Sequence, residues 1–140
     1  MRVAVTGANG NLGRRLLVQL LGAGHEAIAI VRSSSAAEQV QAAAPSADLY
    51  VVSYGDSSGL AQALAGATAC VHLVGIIRET PNASFEDTHI AATEALLAAA
   101  DAAGVQHIVY YSLLGADPES ANRCLATRGF AEKLFIDSDI

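Results

Sequence analysis

Three evenly spaced glycines, Gly7, Gly10 and Gly13, follow the short β-branched and apolar run 2–6 and open a leucine-rich helical pattern that begins at Leu12. A strand that feeds a glycine turn and then a helix leaves few folds open, because a run like 2–6 suits a buried parallel strand. The first N–H groups of the helix have no internal partner, and the helix macrodipole puts partial positive charge on them. Glycine permits the sharp turn and lets a diphosphate approach the backbone with no Cβ in the way. The opening therefore reads as an anion site of the dinucleotide-binding kind, and the rest of the chain must supply a sheet to carry it.

The chain has 140 residues, 52% of them hydrophobic, which is enough for one domain with a real core. A net charge of −6 argues against nucleic acid or an anionic membrane as the main partner. No apolar run approaches the roughly 18 residues of a membrane span, and Met1 leads into a strand rather than a signal peptide. Cys70 and Cys124 stand apart, so neither a disulfide framework nor a cysteine metal site is expected. Glu79, Glu86 and Asp87 form no ligand set with a histidine at metal spacing. The simplest compartment is a reducing cytoplasm.

Taken in order, Leu12, Leu16, Leu17, Leu20 and Leu21 share a helix face, and Gly22 and Gly24 offer left-handed caps. Strand-like runs follow at 27–31, 49–52, 69–74 and 106–111. Helix-like segments fall at 36–44, 60–64, 85–103 and 122–136, the third ending at Gly104. Five alternations with short links predict a three-layer α/β fold, with a parallel sheet in the order 3-2-1-4-5 and helices on both faces. Ligands of such sheets bind in the crevice between strands 1 and 4.

TGANGNLG (6–13) resembles the opening of the extended and atypical short-chain dehydrogenase/reductase superfamily, whose glycines follow this three-residue spacing. Tyr54-Gly55-Asp56, VHLVG (71–75) and Ser112 occur in the order of that superfamily's later landmarks. LVGIIRE (73–79), FEDTHIAATEALL (85–97) and LLGADPES (113–120) resemble its atypical branch, with NmrA-like sensors, reductases and the nucleotide-binding accessory subunit of respiratory complex I. The resemblance implies a dinucleotide held by Gly7, Asn9, Gly10, Asn11, Leu12 and Gly13. It further implies contacts from Arg32, Asp56, Ser57, Val74, Gly75, Ile76, Ser112 and Arg128, with the Asp56 carboxylate at the adenine.

The superfamily's catalytic Tyr-x-x-x-Lys pair aligns with Cys124 and Arg128, so standard carbonyl–alcohol chemistry is not expected. Ser112, Cys124 and Arg128 are weak catalytic candidates, with Ser112 expected mainly to bond backbone at its strand end. Arg128 keeps the charge of the lysine, whereas a thiol does not replace a phenol as proton donor. At the end of strand 2, where an acid would hold a 2′-hydroxyl, the chain reads Val31-Arg32-Ser33-Ser34. Arg32 pairs with a 2′-phosphate instead, with Arg14 and Arg15 adding charge nearby, so NADP(H) is favoured over NAD(H). His72 is expected as a packed core residue, and His89 in either a structural role or near the crevice. The chain stops at Ile140, where the superfamily begins its sixth strand, leaving strand 5 as a sheet edge. A partner, or a second copy docked through 85–103 and 122–136, is expected to cover it. Two functions stay open: a non-catalytic NADP(H)-binding module, or a reductase or epimerase with a nonstandard proton donor.

Overall fold

In the computed structural model, which describes all of residues 1–140, the sheet runs β3-β2-β1-β4-β5 and every pairing is parallel. The strands are β1 (Arg2–Thr6), β2 (Glu26–Val31), β3 (Asp48–Val51), β4 (Ala69–His72) and β5 (His107–Tyr110). The helices between them are α1 (Asn11–Gly22), α2 (Ser34–Ala43), α3 (Ser57–Leu64) and α4 (Ala92–Ala103), and α5 (Arg123–Ile136) follows β5. Alternate residues of the central strands feed two cores, one on each face. Ala4, Ile28, Ile30 and Cys70 pack under α3 and α4 through Leu60, Leu64, Leu96 and Ala100. Val5, Ala27, Ala29 and Val31 pack under α1 and α2 through Leu17, Ala36 and Val40. Burial pushes the Cys70 thiol up to about 12, so it acts as a small apolar side chain.

Local chemistry explains most boundaries. Ser33, Asp56 and Asn122 cap α2, α3 and α5 by accepting backbone N–H bonds from Ala36, Gly59 and Cys124. Gly104 closes α4 in the left-handed region at φ 71°.

Four expectations need correction. Gly22 lies inside α1, and Gly24, at φ 78°, makes the left-handed turn. Leu12 is exposed, because the inward stripe of α1 starts at Gly13 and continues through Leu17. Strands 4 and 5 are shorter than their apolar runs, since Leu73, Val74 and Tyr111 continue past the ladder into the crevice loops. The segment 85–103 is not one uniform helix: Glu86–Ala91 is wound as a π-helix before α4 begins. The wider turn admits His89 to the interior and leaves Asp87 and Thr88 lining a crevice cavity.

β5 is an edge, as expected, and Val109 on it and Tyr111 just past its end are largely exposed. No helix is long and apolar enough to cross a membrane.

Candidate functional site

The strand order reverses between β1 and β4, and the glycine turn sits at that reversal. Gly7 has φ 68°, and a Cβ there would stand 3.1 Å from the Leu73 carbonyl carbon on the neighbouring strand end. A Cβ on Gly13 would lie 2.7 Å from the carbonyl oxygens of both Gly7 and Ala8. The turn is thus pressed between β4 and the first coil of α1, and any side chain at these two positions forces them apart. Gly10 is the N-cap of α1 and has no side chain with which to cap it. The first-turn N–H groups, from Asn11 to Gly13, are left for a ligand.

Tyr54 fixes the turn from the far side. Its hydroxyl accepts from Gly7 N at 3.0 Å and donates to Ile30 O at 3.3 Å, tying the loop after β3 to β1 and β2. Burial raises its pKa, so it stays a neutral donor.

A cavity of about 190 Å³ opens on this turn, lined by Gly7, Asn9 and Gly10 on one wall and by Val74, Gly75 and Ile76 on the other. A second, of about 340 Å³, adjoins it through the shared residues Arg32, Tyr54 and Thr88, and extends to Gly55, Asn82 and Asp87. Arg32 lies at the junction, exposed and in no ion pair. Together the pair forms a bent crevice with an amide-rich anion cradle in its smaller part. A diphosphate fits a helix N-terminus with no side-chain cap and a glycine wall; the residues present suit a dinucleotide.

Of the sequence-predicted ligands, Gly7, Asn9, Gly10, Arg32, Val74, Gly75 and Ile76 line these cavities. Leu12 and Gly13 belong to the cradle through backbone alone. Asn11 also contributes its N–H, and it lines a separate groove of about 570 Å³ with Arg14, Arg15, Val18 and Ala43. Arg14 and Arg15 line that groove between α1 and the end of α2, whereas Arg32 lines the two crevice cavities. The Asp56 carboxylate accepts from Gly59 N at 3.0 Å as the α3 cap, and Gly55 lines the cavity in its stead. Ser57 opens α3 and lies outside both linings.

The far wall depends on α5. A Cβ at Gly129 would overlap the backbone of Asp117 and Pro118, so this glycine lets the loop after β5 lie directly on the helix. One residue earlier, Arg128 is 6% exposed, and its Nη1 donates to Val74 O, Tyr110 Oη and Tyr111 O. Its guanidinium fills the space that a Cβ at Gly75 would take. Cys124 is buried, with Sγ 3.6 Å from Ile76 O, so the thiol is turned onto the β4 loop. Ser112 corrects its expectation: its buried Oγ has no hydrogen-bond partner, backbone included.

Both crevice-side histidines are structural. His72 shares a 2.7 Å hydrogen bond with Thr6 Oγ1, and burial with the nearby Arg128 charge pushes it down to about 3. His89 meets Thr127 Oγ1 through Nδ1 at 2.8 Å and Ile76 through Nε2, with N at 3.1 Å and O at 3.0 Å. Thr127 Oγ1 in turn donates to the carbonyls of Arg123 and Cys124, so both ring nitrogens of His89 are held between α5 and the loop after β4. Desolvation, with the Arg128 charge second, lowers His89 to about 4. No cluster of His, Cys, Asp and Glu can hold a metal ion.

This cradle matches a known family: the NAD(P)H-binding family aligns with residues 7–136. The chain belongs to that family. Its relatives place it with the short-chain dehydrogenase/reductase proteins that the sequence resembles. A ketoreductase of a farnesylated dihydroquinoline oxide from Stigmatella aurantiaca is 34% identical over 113 residues, 80% of this chain and 33% of its own length. Subunit 9 of the mitochondrial NADH dehydrogenase 1 alpha subcomplex of Arabidopsis thaliana is 28% identical over 138 residues, 96% of this chain and 34% of its own. Among solved structures, the Escherichia coli NADPH-dependent quinone oxidoreductase QOR2 with NADPH superposes at TM-score 0.74 and 29% identity, covering 99% of this chain and 46% of that one. The chain spans about a third of the length of these two curated relatives.

Sequence reading missed Tyr54, Asn82 and Thr88 as lining residues. Tyr54 stood in a recognised loop, but its reach to Gly7 crosses 47 positions. Thr88 depends on the π-helical winding, which nothing in the local sequence announces.

Proposed function

We propose that the chain binds NADP(H) in the bent crevice and acts as a nucleotide-binding module without the Tyr/Lys proton transfer of its superfamily. The observation that carries this reading is Cys124: the position aligned with the phenol bears a buried thiol directed at Ile76 O. The diphosphate lies against the N–H groups of Asn11, Leu12 and Gly13, with Gly7 and Gly10 forming the floor. Asn9, Val74, Gly75 and Ile76 face the nicotinamide-side ribose. Gly55 lines the adenine end of the crevice, with the Asp56 carboxylate next along the chain, its cap bond to Gly59 leaving other lone pairs free. When bound, the dinucleotide supplies hydride chemistry; this chain's own residues orient it and exclude water from one face.

Preference for the 2′-phosphate follows from Arg32, which lines both cavities with no neighbouring ion pair, and from the α2 N-terminus at Ser34 two residues on. Nicotinamide fluorescence titration tests it: NADPH binds more tightly than NADH, and Arg32→Ala weakens NADPH by roughly tenfold to a hundredfold, as expected for losing a charge-assisted bond. NADH binding equal to or tighter than NADPH binding refutes the assignment.

A second reading, an active reductase or epimerase, is favoured by the ketoreductase and quinone oxidoreductase likenesses. A carbonyl-substrate screen following NADPH absorbance decides, since turnover with any substrate ends the non-catalytic reading. Two buried free thiols suit a reducing, cytoplasmic setting. A second copy packs on the α4–α5 face, where Ile90, Phe130 and Leu134 line a groove of about 320 Å³. Sedimentation that yields a monomer at every concentration rules this out.

A further inference from the structure

Arg123 stands at the first position of α5, where the helix dipole disfavours a cation. Its side chain meets two carboxylates from two other segments. Nη1 donates to Glu79 Oε2 at 3.0 Å and Nη2 to Glu79 Oε1 at 3.3 Å, and Nη2 also donates to both carboxylate oxygens of Glu86 at 2.9 Å. The guanidinium carbon lies 5.9 Å from the centre of the Phe85 ring, and that ring stacks on His89. One arginine therefore joins α5, the start of the π-helix and the loop after β4.

That loop has little else to hold it. Ile76 is fixed at one end by His89, and Ser84 at the other by Asp87. Between them the only backbone hydrogen bonds are the reciprocal pair of Thr80 and Ala83, at 3.0 and 3.1 Å, and both stay within the strap 77–83. Ile77, Arg78, Thr80, Pro81 and Asn82 are exposed. Glu79 is the strap's one polar tether to the rest of the fold, accepting from Phe85 N at 3.0 Å as well as from Arg123. A segment with so few bonds opens at low cost. The Arg123 side chain is 61% exposed, and exposed ion pairs are individually weak, which suits a tether that releases.

The strap borders the crevice. Gly75 and Ile76, just ahead of it, line the smaller cavity, while Asn82 and Ala83 line the larger one with Arg32 and Tyr54. Arg123 itself lines neither. We infer that Arg123 is a positioning residue of the nucleotide site: through Glu79 it holds the strap 77–83 against the crevice, and release of this tether sets how fast the dinucleotide enters and leaves. The inference rests on the nucleotide reading and adds control of exchange to it.

Stopped-flow nicotinamide fluorescence with NADPH tests it, together with amide hydrogen exchange. Arg123→Ala raises the association and dissociation rates together, by roughly threefold to tenfold for the loss of an exposed ion-pair cluster, and leaves Kd within about twofold. Glu79→Gln, which keeps an acceptor for Phe85 N, speeds both rates likewise, and the double variant is no faster than the faster single one, because both changes break one tether. The amides of Thr80, Ala83 and Phe85 exchange faster in Arg123→Ala, while those in the middle of α4 and α5 do not change. Unchanged rates overturn the inference, and so do additive effects of the two substitutions. A faster dissociation with unaltered association also overturns it, since that pattern belongs to a direct ligand contact. If the unsubstituted protein fails to bind NADPH, the nucleotide reading falls; the tether is then decided by exchange alone, and equal exchange at Thr80, Ala83 and Phe85 in the two proteins refutes it.

Discussion

Replacing Gly75 with alanine tests the packing between the crevice wall and Arg128. The added Cβ would overlap Nη2 and Cζ of Arg128 and come within 2.8 Å of Nη1. The guanidinium has little room to retreat, because Nη1 is tied to three acceptors and the side chain is buried. If it stays, the overpacked wall costs about 1–3 kcal/mol. If it leaves, each hydrogen bond to its charge is worth about 1.5–3 kcal/mol, offset in part by returning an unpaired cation to water. Both routes put the loss near about 2 kcal/mol, or a fall in Tm of roughly 6–10 °C for a domain of this size. The decisive measurement is a double-mutant cycle by urea denaturation. In an Arg128→Ala background the colliding atoms are gone, so Gly75→Ala costs less than about 0.5 kcal/mol and the coupling is about 1.5 kcal/mol. Additive losses would show that position 75 is glycine for some reason other than the guanidinium.

Three further predictions use the same geometry. Tyr54→Phe leaves Gly7 N–H without its acceptor, so stability falls by about 1–3 kcal/mol and NADPH binds more weakly; unchanged values in urea and fluorescence titrations would count against Tyr54 as the brace of the turn. Asp56→Ala removes the α3 cap and lowers stability by about 1 kcal/mol. A loss of NADPH affinity beyond that of a cap-neutral Asp56→Ser change would place the carboxylate on the nucleotide. His72 and His89 are held below their usual 6.5, at about 3 and about 4, so the unfolded chain binds more protons between those values and 6.5. Their contribution is therefore complete above pH 6.5 and is lost as the pH falls, each steepening the slope by up to about 1.4 kcal/mol per pH unit. His72→Asn flattens the acid limb in pH-dependent denaturation if this is right.

The sequence carried the alternation of strands and helices because that alternation is written in neighbouring residues: β-branched runs, glycine punctuation, and Ser, Asp and Asn at helix starts. Gly7, Gly10 and Gly13 were legible for the same reason, since strand, turn and helix N-terminus lie within a dozen positions. Leu12 shows the limit of periodicity, as a stripe of leucines does not say where its buried face begins. Arg14 and Arg15 show the limit of proximity in sequence, since they line a groove with the end of α2 that the strand-end arginine does not share.

By itself, then, the sequence determined a parallel Rossmann sheet with a phosphate-binding opening, because local propensity and one short turn suffice to specify them. Tertiary structure decided what closes around that turn. Tyr54 reaches Gly7 from the loop after β3, Arg128 reaches Val74 and Tyr110 from α5, and His89 joins Thr127 to Ile76 through a π-helical turn. These bonds span 13 to 54 positions, and each exists only after the sheet has brought its ends together. The same assembly turned Cys124 inward and left Arg128 charged, buried and unmatched.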